Sequence, residues 1–365
     1  MIARLATFLR RQPRGLLTAA GLGAIGALAV GDYFAPPDVS FLIFYVAPVL
    51  FLVWFVGRRA GLLGAIASAS FWAWEDVFSA HAYPSATIAD WNVIVRLLFM
   101  VAFVLVVAEL KGALERERQL AAERLEREVS IAREVQARLF PRNAPRTALL
   151  DCDGVCRPAR GVAGDYYDFV ELDRGHVGIA VGDVAGKGIS AALLMASLQG
   201  ALRRHASLSD EGPAEAAAAI NVQIHSLTDS NRFATFFWAV FDEASRILTW
   251  VNAGHNAPML LRRSGSLERL TSSGPALGVV AGARYAQRTA VLSAGDALLL
   301  FSDGVSEAPS PGGEEFGEAR LERVFRDHAE APAREISAAI LSAVEAFQAD
   351  APPEDDMTLV VAKVR

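Results

Sequence analysis

The sequence predicts an all-α membrane region, a long connecting helix, and an α/β domain in which antiparallel sheet packs against helices. Three observations carry this reading. Four runs almost without charge fall before residue 110, an unbroken charge-rich helical pattern follows, and from residue 149 short β-rich runs meet in hairpins more than in βαβ alternation. With 365 residues the chain has room for all three parts.

The apolar runs are Gly15 to Gly31, Phe41 to Val56, Gly61 to Trp74 and Trp91 to Ala108. Each approaches the roughly 20 apolar residues that cross a bilayer, the third only when extended over Glu75 and Asp76. Residues 1–110 are therefore expected to form a transmembrane region of about four spans, which also accounts for a hydrophobic content of 53%. Arg4, Arg10, Arg11, Arg14, Arg58, Arg59, Lys111, Arg116 and Arg118 fall on one side of these spans, and Asp32, Asp38, Glu75, Asp76 and Asp90 on the other. Lys and Arg are retained in the cytoplasm, so a multi-pass protein of the cell inner (cytoplasmic) membrane with both termini cytoplasmic is expected. The first run lacks a convincing cleavage site and reads as an anchor instead of a leader. Arg96, inside the fourth run, is expected either to pair with Glu75, Asp76 or Asp32 or to reach toward the interface.

Residues 111–141 read as a cytoplasmic linker helix. No proline or internal glycine interrupts Ala113 to Phe140, and Leu114, Ala121, Leu125, Ala132, Val135 and Leu139 fall near one face. Arg118 and Glu128 interrupt that short seam, so a coiled-coil homodimer and a solvated spacer helix both fit it. Pro141 and Pro145 stop the helix.

The α/β domain is expected over 149–365. "HVGIAVGDV" reads as a buried strand and "ISAALLMASLQGALRRHA" as a helix; "RFATFFWAVFDEASRILTWVNAGH" reads as a hairpin turning at Asp242 to Arg246. "DALLLFSDGVSEA" is a strand entering a loop, and "DDMTLVVAKVR" a closing strand. Helices fit Pro213 to Asp229, Ala319 to His328 and Ala333 to Phe347.

Several function classes are excluded. A net charge of −6 with no basic stripe after the membrane region gives no support for nucleic-acid binding. Cys152 and Cys156 lack zinc partners at usable spacing and read as ordinary thiols of a reducing compartment. "GDVAGKG" is not a phosphate-binding P-loop: three residues, not four, separate Gly182 from Gly186, and Gly188 follows Lys187 where Ser or Thr is needed.

The aspartates repeat one placement. Asp165 in "AGDYYDF", Asp183 in "VGDVAGKG", Asp303 in "LLLFSDGVSEA", and Asp355 with Asp356 in "EDDMTLVV" each stand at an end of an apolar strand, most beside a glycine. One such aspartate is ordinarily a turn or cap residue, but four in one domain call for a shared cation. Oxygen-only donors suit Mg²⁺ or Mn²⁺, and two such ions bridged by a carboxylate lower the pKa of bound water and hold phosphoryl oxygens.

In this order, "AREVQARLFP", "AGDYYDF", "GDVAGKGISAALLMA", "FATFFWAVFD", "NAGHNAP", "LFSDGVSEA", "EEFG" and "DDMTLVV" resemble the metal-dependent protein phosphatases (PPM), in their bacterial SpoIIE-like branch. The resemblance covers about residues 130–363. It implies a serine/threonine phosphatase with two central antiparallel β-sheets flanked by helices and two Mn²⁺ or Mg²⁺ ions at one end. It further implies Asp165, Asp183, Asp303 and Asp355 as metal ligands, Asp183 as the bridge, and the Val184 carbonyl as a further ligand; the ligand of the last pair is the family's first position, hence Asp355 over Asp356. Ala163 and Gly164 stand where the family has two glycines. Val184 and Ala185 stand where some relatives carry a histidine acid, and His255 reads as a hydrogen-bonded turn residue more than as a substitute. Lys187 is either a phosphate contact or a residue that positions the loop.

The implied function is a membrane-anchored phosphatase that hydrolyses a phosphoprotein, a phosphorylated anti-sigma-factor antagonist by resemblance, under a signal passed from the membrane through the linker helix. A cyclic-dinucleotide synthase is a weaker alternative, because "AGDYYDF" has the look of a Gly-Gly-Asp-Glu-Phe loop while the other aspartate blocks have no place in it. A catalytically silent partner-binding module is the alternative from another class, and metal binding discriminates it.

Overall fold

The computed structural model describes residues 4–5, 8–9, 11–34, 42–78, 86–145, 147–159, 161–206, 212–228 and 232–365. Arg10, Asp38, Phe41, Asp229 and the side chain of Asp76, all named above, lie outside the described part. The chain forms two compact units, Met1–Leu125 and Glu126–Arg365.

The first unit is helical: α1 is Arg14–Tyr33, α2 is Leu42–Phe51 continued by a π-turn Leu52–Val56, α3 is Arg58–Phe78, and α4 is Ala86–Ala137, whose last turns belong to the second unit. Ile25, Tyr45, Val49, Leu52, Trp72, Met100 and Val104 form its interior. Among the described residues, two helices and not four are long and apolar enough to cross a membrane, α1 and the Asp90–Ala137 part of α4. The expected second span falls short because Gly57, at φ 133°, ends it after Leu42–Val56. That is roughly 22 Å of helix against about 30 Å of hydrocarbon. The third, α3, opens on Arg58 and Arg59 and carries Glu75 and Asp76 near its end. The fourth apolar run and the charged linker pattern are one unbroken 52-residue helix. Arg96 stacks over Trp72, 5.4 Å from the ring centre, and the Tyr45 hydroxyl donates to Asp32 across 3.3 Å.

The second unit is built from β1 (Leu150–Arg157), β2 (Tyr166–Leu172), β3 (His176–Val184), α5 (Ile189–Ala206), α6 (Pro213–Leu227), β4 (Ala234–Asp242), β5 (Ile247–Ala253), β6 (Met259–Leu261), β7 (Leu267–Arg269), β8 (Arg288–Val291), β9 (Ala297–Phe301), α7 (Asp303–Ser306), α8 (Glu318–Asp327), α9 (Ala333–Gln348) and β10 (Met357–Val364). Two five-stranded sheets result, the first ordered β2-β3-β4-β5-β8 and the second β1-β10-β9-β6-β7. Every pairing between these strands is antiparallel.

The sheets face each other through Phe169, Val181, Phe237 and Phe241 on one side and Leu298, Leu300, Val360 and Ala362 on the other. α5 and α6 cover the outer face of the first sheet through Leu194, Leu198, Leu202, Ile220 and Ile224. α8 and α9 cover the second through Leu321, Phe325, Ile336, Ile340 and Val344, the last three spaced to share one helical face. Both sheets are thus buried on both faces, which is why β9 reads as a solid apolar run instead of an alternating one. The expected sandwich of two antiparallel sheets between helices is the architecture observed, and the β4–β5 hairpin turns where expected, with Arg246 at φ 58°.

Candidate active site

Strand register brings the aspartates to one end of the sandwich. In the first sheet Tyr166 pairs with Gly182, which sets Asp165, just before β2, across from Asp183 near the end of β3. In the second sheet Phe301 pairs with Leu359, so Asp303, just after β9, lies near Asp355 and Asp356, just before β10. Side-chain and backbone bonds then join the two sheets at this end. Asp356 accepts from the Gly164 amide at 2.7 Å and from the Ala159 amide at 2.8 Å. Space requires glycine at 304, where a Cβ would meet the Asp356 carbonyl oxygen at 2.0 Å, and is tight at Gly164, where one would stand 3.1 Å from the Val184 carbonyl oxygen.

The electrostatics are those of carboxylates crowded together, with Asp165 buried and the others partly so. Burial, and then the neighbouring Asp183, holds the Asp165 carboxyl well above the usual range. Asp183 is pushed up to about 7, first by burial and then by Asp303 and Asp355. Asp303 is raised by burial and by Asp355. The one lysine salt-bridged in this cluster is Lys187, whose Nζ lies 2.8 Å from Asp355 and donates to the Glu354 carbonyl at 2.8 Å. Asp165 is 2% exposed, and its Oδ2 has no hydrogen-bond partner among the described residues. No three acidic, histidine or cysteine side chains among the described residues close around a single point.

Each residue expected from the sequence has a definite place. Asp165, Asp183, Asp303 and Asp355 share this end, with the buried Val184 between Asp183 and the loop that enters α5. Asp356 gives both oxygens to backbone amides and so ties loop to loop, whereas Asp355 pairs with Lys187 through Oδ2 and accepts from the Asp356 amide at 2.9 Å through Oδ1. His255 is 5% exposed, shares a 2.8 Å hydrogen bond with the Thr235 hydroxyl, and exchanges bonds with Asn252 on both sides of its backbone. Burial pushes its pKa down to about 4, so it is neutral at pH 7 and lacks the imidazolium proton of a general acid. Burial raises both cysteine thiols, which makes them poor nucleophiles.

Sequence reasoning missed a brace behind the site, in which the Ser302 hydroxyl accepts from the Thr358 amide at 2.9 Å and the Ser302 amide donates to the Thr358 carbonyl at 3.0 Å. A serine directly after five wholly buried residues of β9 was the available signal. It also missed Asp168, fully buried, which takes a bidentate bond from Arg203 at 2.9 Å and a 2.7 Å bond from the Tyr166 hydroxyl, fixing α5 on β2.

The residues fit hard cations. The donors are all oxygen, they come from four separate chain segments, and one buried oxygen is left without a partner although buried carboxylates are normally satisfied.

Comparison with known proteins agrees with this reading of the fold. The family profile of Stage II sporulation protein E (SpoIIE) matches residues 173–365, more than half of the chain, and that of a domain of unknown function (DUF4118) matches residues 15–124. Phosphoserine phosphatase RsbU of Bacillus subtilis is 31% identical over 237 residues, which is 64% of this chain and 69% of that protein. Among solved structures, the SiaA-PP2C domain of Pseudomonas aeruginosa superposes with a TM-score of 0.59 at 21% identity, over 67% of this chain and 98% of that one. The RsbU and RsbW domains of Rv1364c from Mycobacterium tuberculosis superpose with a TM-score of 0.52 at 28% identity, over 60% of this chain and 61% of that one. A profile match over more than half the chain, a relative above 30% identity and a shared two-sheet sandwich lead to one conclusion: the chain belongs to the SpoIIE family of PP2C-type protein serine/threonine phosphatases.

Proposed function

We propose that the chain is a membrane-anchored, two-metal phosphatase that removes phosphate from a serine or threonine of a protein, a phosphorylated anti-sigma-factor antagonist. The carrying observation is the buried, unpartnered Asp165 Oδ2 within a group of convergent carboxylates. Asp165, Asp183, Asp303, Asp355 and the Val184 carbonyl would hold two Mn²⁺ or Mg²⁺ ions. Bound there, the ions supply an activated water and neutralise the phosphoryl oxygens.

The chain's own residues do the rest. Asp356 and the Ser302–Thr358 brace fix the segments that carry the acidic groups, so that the four carboxylates stay aligned against their mutual repulsion. Lys187, held at Asp355 beside the β3–α5 loop, offers a positive charge to an incoming phosphate. Water adds to phosphorus, the bond from phosphorus to the serine oxygen breaks, and the departing oxygen takes a proton. His255 is neutral and bonded to Thr235, and Val184 and Ala185 have no proton to give, so the donor is solvent or a group other than these three.

Residues 1–110 serve as the membrane region in this proposal, with both termini cytoplasmic, 111–141 as the linker and 149–365 as the phosphatase. The two apolar helices, the DUF4118 match and the single helix α4 that runs from apolar sequence into the catalytic unit support it. Pairing of the linker helix in a homodimer is part of the same reading. The substrate class rests on the likeness to RsbU, named a phosphoserine phosphatase.

Phosphate release from a phosphoserine peptide by the full chain in detergent, with and without Mn²⁺ and beside Asp183→Ala, tests the enzyme. Activity that needs the ion and disappears in the variant is expected. Activity unchanged by metal removal would sink the two-metal reading.

A further inference from the structure

The geometry points to Gln136, on the last turns of α4, as a positioning residue for the Asp165 segment. Gln136 is 5% exposed, and its carboxamide makes a two-way pair with the backbone of one residue: Nε2 donates to the Ala163 carbonyl at 2.7 Å, and Oε1 accepts from the Ala163 amide at 2.8 Å. Both hydrogen-bonding groups of Ala163 are therefore held by one side chain, as a neighbouring strand would hold them. Two residues on stands Asp165, and between them the Gly164 amide is tied to Asp356 at 2.7 Å. The three-residue run into β2 is fixed from two opposite quarters of the domain, one of them the helix.

The same turns of α4 grip this loop again one helical turn earlier. Arg133 Nε donates to the Gly161 carbonyl at 2.6 Å, and Val129 packs where a Cβ on Gly161 would stand, 2.5 Å away. Val129, Arg133 and Gln136 are spaced four and three apart and so share one helix face. That face differs from the Leu125, Ala132, Val135 and Leu139 stripe in carrying a buried amide and a guanidinium in place of apolar groups alone. A buried glutamine needs partners, and here both ends of its amide meet the segment that leads into the most buried carboxylate of the site.

This inference rests on the proposed role of Asp165 in holding a cation. Asp165 carries an oxygen with no partner among the described residues, and the backbone that leads into it is held by Gln136 and Asp356. Groups that orient a ligand from behind typically alter metal affinity by about 10-fold to 100-fold when removed. Gln136→Met, which keeps the volume and removes both hydrogen bonds, should weaken metal binding within that range. Gln136→Glu, which keeps the acceptor for the Ala163 amide and sets a carboxylate against its carbonyl, should weaken it at least as much. Gln199→Met is the control: Gln199 is 8% exposed and donates to the Leu139 carbonyl at 2.6 Å, so it anchors the end of the same helix without touching Ala163.

The experiment is a Mn²⁺ titration of the full chain in detergent, read by the loss of the free-ion electron paramagnetic resonance signal, with a thermal melt of each metal-free variant. The expected result is a dissociation constant raised about tenfold or more in Gln136→Met and Gln136→Glu, unchanged in Gln199→Met, with a single cooperative melt retained by all three. Wild-type affinity in both Gln136 variants overturns the inference, as does an equal loss in Gln199→Met, which would make helix docking in general the cause. Should Gln136→Met fail to melt cooperatively, Gln136→Glu decides by the same criterion. Asp165→Asn separates the two levels: wild-type Mn²⁺ binding in that variant would remove the metal-site reading itself, independently of Gln136.

Discussion

The two ends of the β2–β3–β4 sheet treat the same side chain in opposite ways. At the β4–β5 turn, Asp242 accepts from the Ser245 hydroxyl at 2.5 Å and the Ala244 amide at 2.9 Å, and its carboxyl is held below the usual range, chiefly by Ser245. Beside it Glu243, bonded by Thr147 and by the amides of Ala148 and Leu149, is lowered as well. At the other end Asp165, Asp183 and Asp303 are raised by burial and by one another, and an oxygen of Asp165 has no partner among the described residues. A turn aspartate is satisfied by its own few residues, whereas Asp165 keeps a buried oxygen that in the proposed reading a cation would take. Position at a strand end does not separate the two; burial among other carboxylates does.

The largest effect expected from this contrast is catalytic. Asp165→Asn should lower metal-dependent phosphate release by more than about 100-fold, beyond what loss of a supporting group costs. Retention of a tenth of the activity would break the comparison, because the orphaned oxygen would then have no task.

The next largest concerns pH. His255 has a folded pKa of about 4, against about 6.5 unfolded, so the unfolded chain binds more protons between these values. The stability it contributes is present above pH 6.5 and is lost as pH falls toward 4, about 3 kcal/mol in all. Melts of wild type and His255→Gln between pH 4 and 7 should converge at the acid end, and parallel curves would refute the assignment.

Asp355 and Asp356 place the same contrast on neighbouring residues. Asp356→Ala should cost about 2 kcal/mol of stability through two backbone amides left without an acceptor. Asp355→Ala, which loses a partly exposed ion pair with Lys187 and one bond from the adjacent Asp356 amide, should cost about 1 kcal/mol, less than Asp356→Ala, while the metal-dependent activity falls. The reverse pattern in urea unfolding and phosphate release would exchange their roles. Smallest of all, Asp242→Ala should cost about 1 kcal/mol or less and leave phosphate release untouched.

Much of this was legible in the sequence because local and long-range signals agree in the α/β domain. β3 and α5 occupy the residues their patterns mark, His176–Val184 and Ile189–Ala206, since each buries an unbroken apolar run. β6, β7 and β8 are three or four residues long, too short for any period, and exist because neighbouring strands pair with them. In the helical unit composition alone misled: four apolar runs are present, but Gly57 cuts one short and charges at both ends lower another. The aspartates were visible as a set, yet the division of labour between Asp355 and Asp356 depends on amides nearly 200 residues away, at Ala159 and Gly164. Gln136 left only a faint trace, a polar residue between Val135 and Ala137, because its partners are backbone groups and not a side chain.

The central claim is that the carboxylate end of the sandwich is incomplete without cations, and equilibrium dialysis of the full chain against Mn²⁺ tests it most directly, with phosphoserine-peptide hydrolysis followed on the same samples. Two ions bound per wild-type chain, with hydrolysis rising as they bind and both lost in Asp165→Asn, is the predicted result. Hydrolysis at the wild-type rate in chelator, with no ion bound, would contradict it.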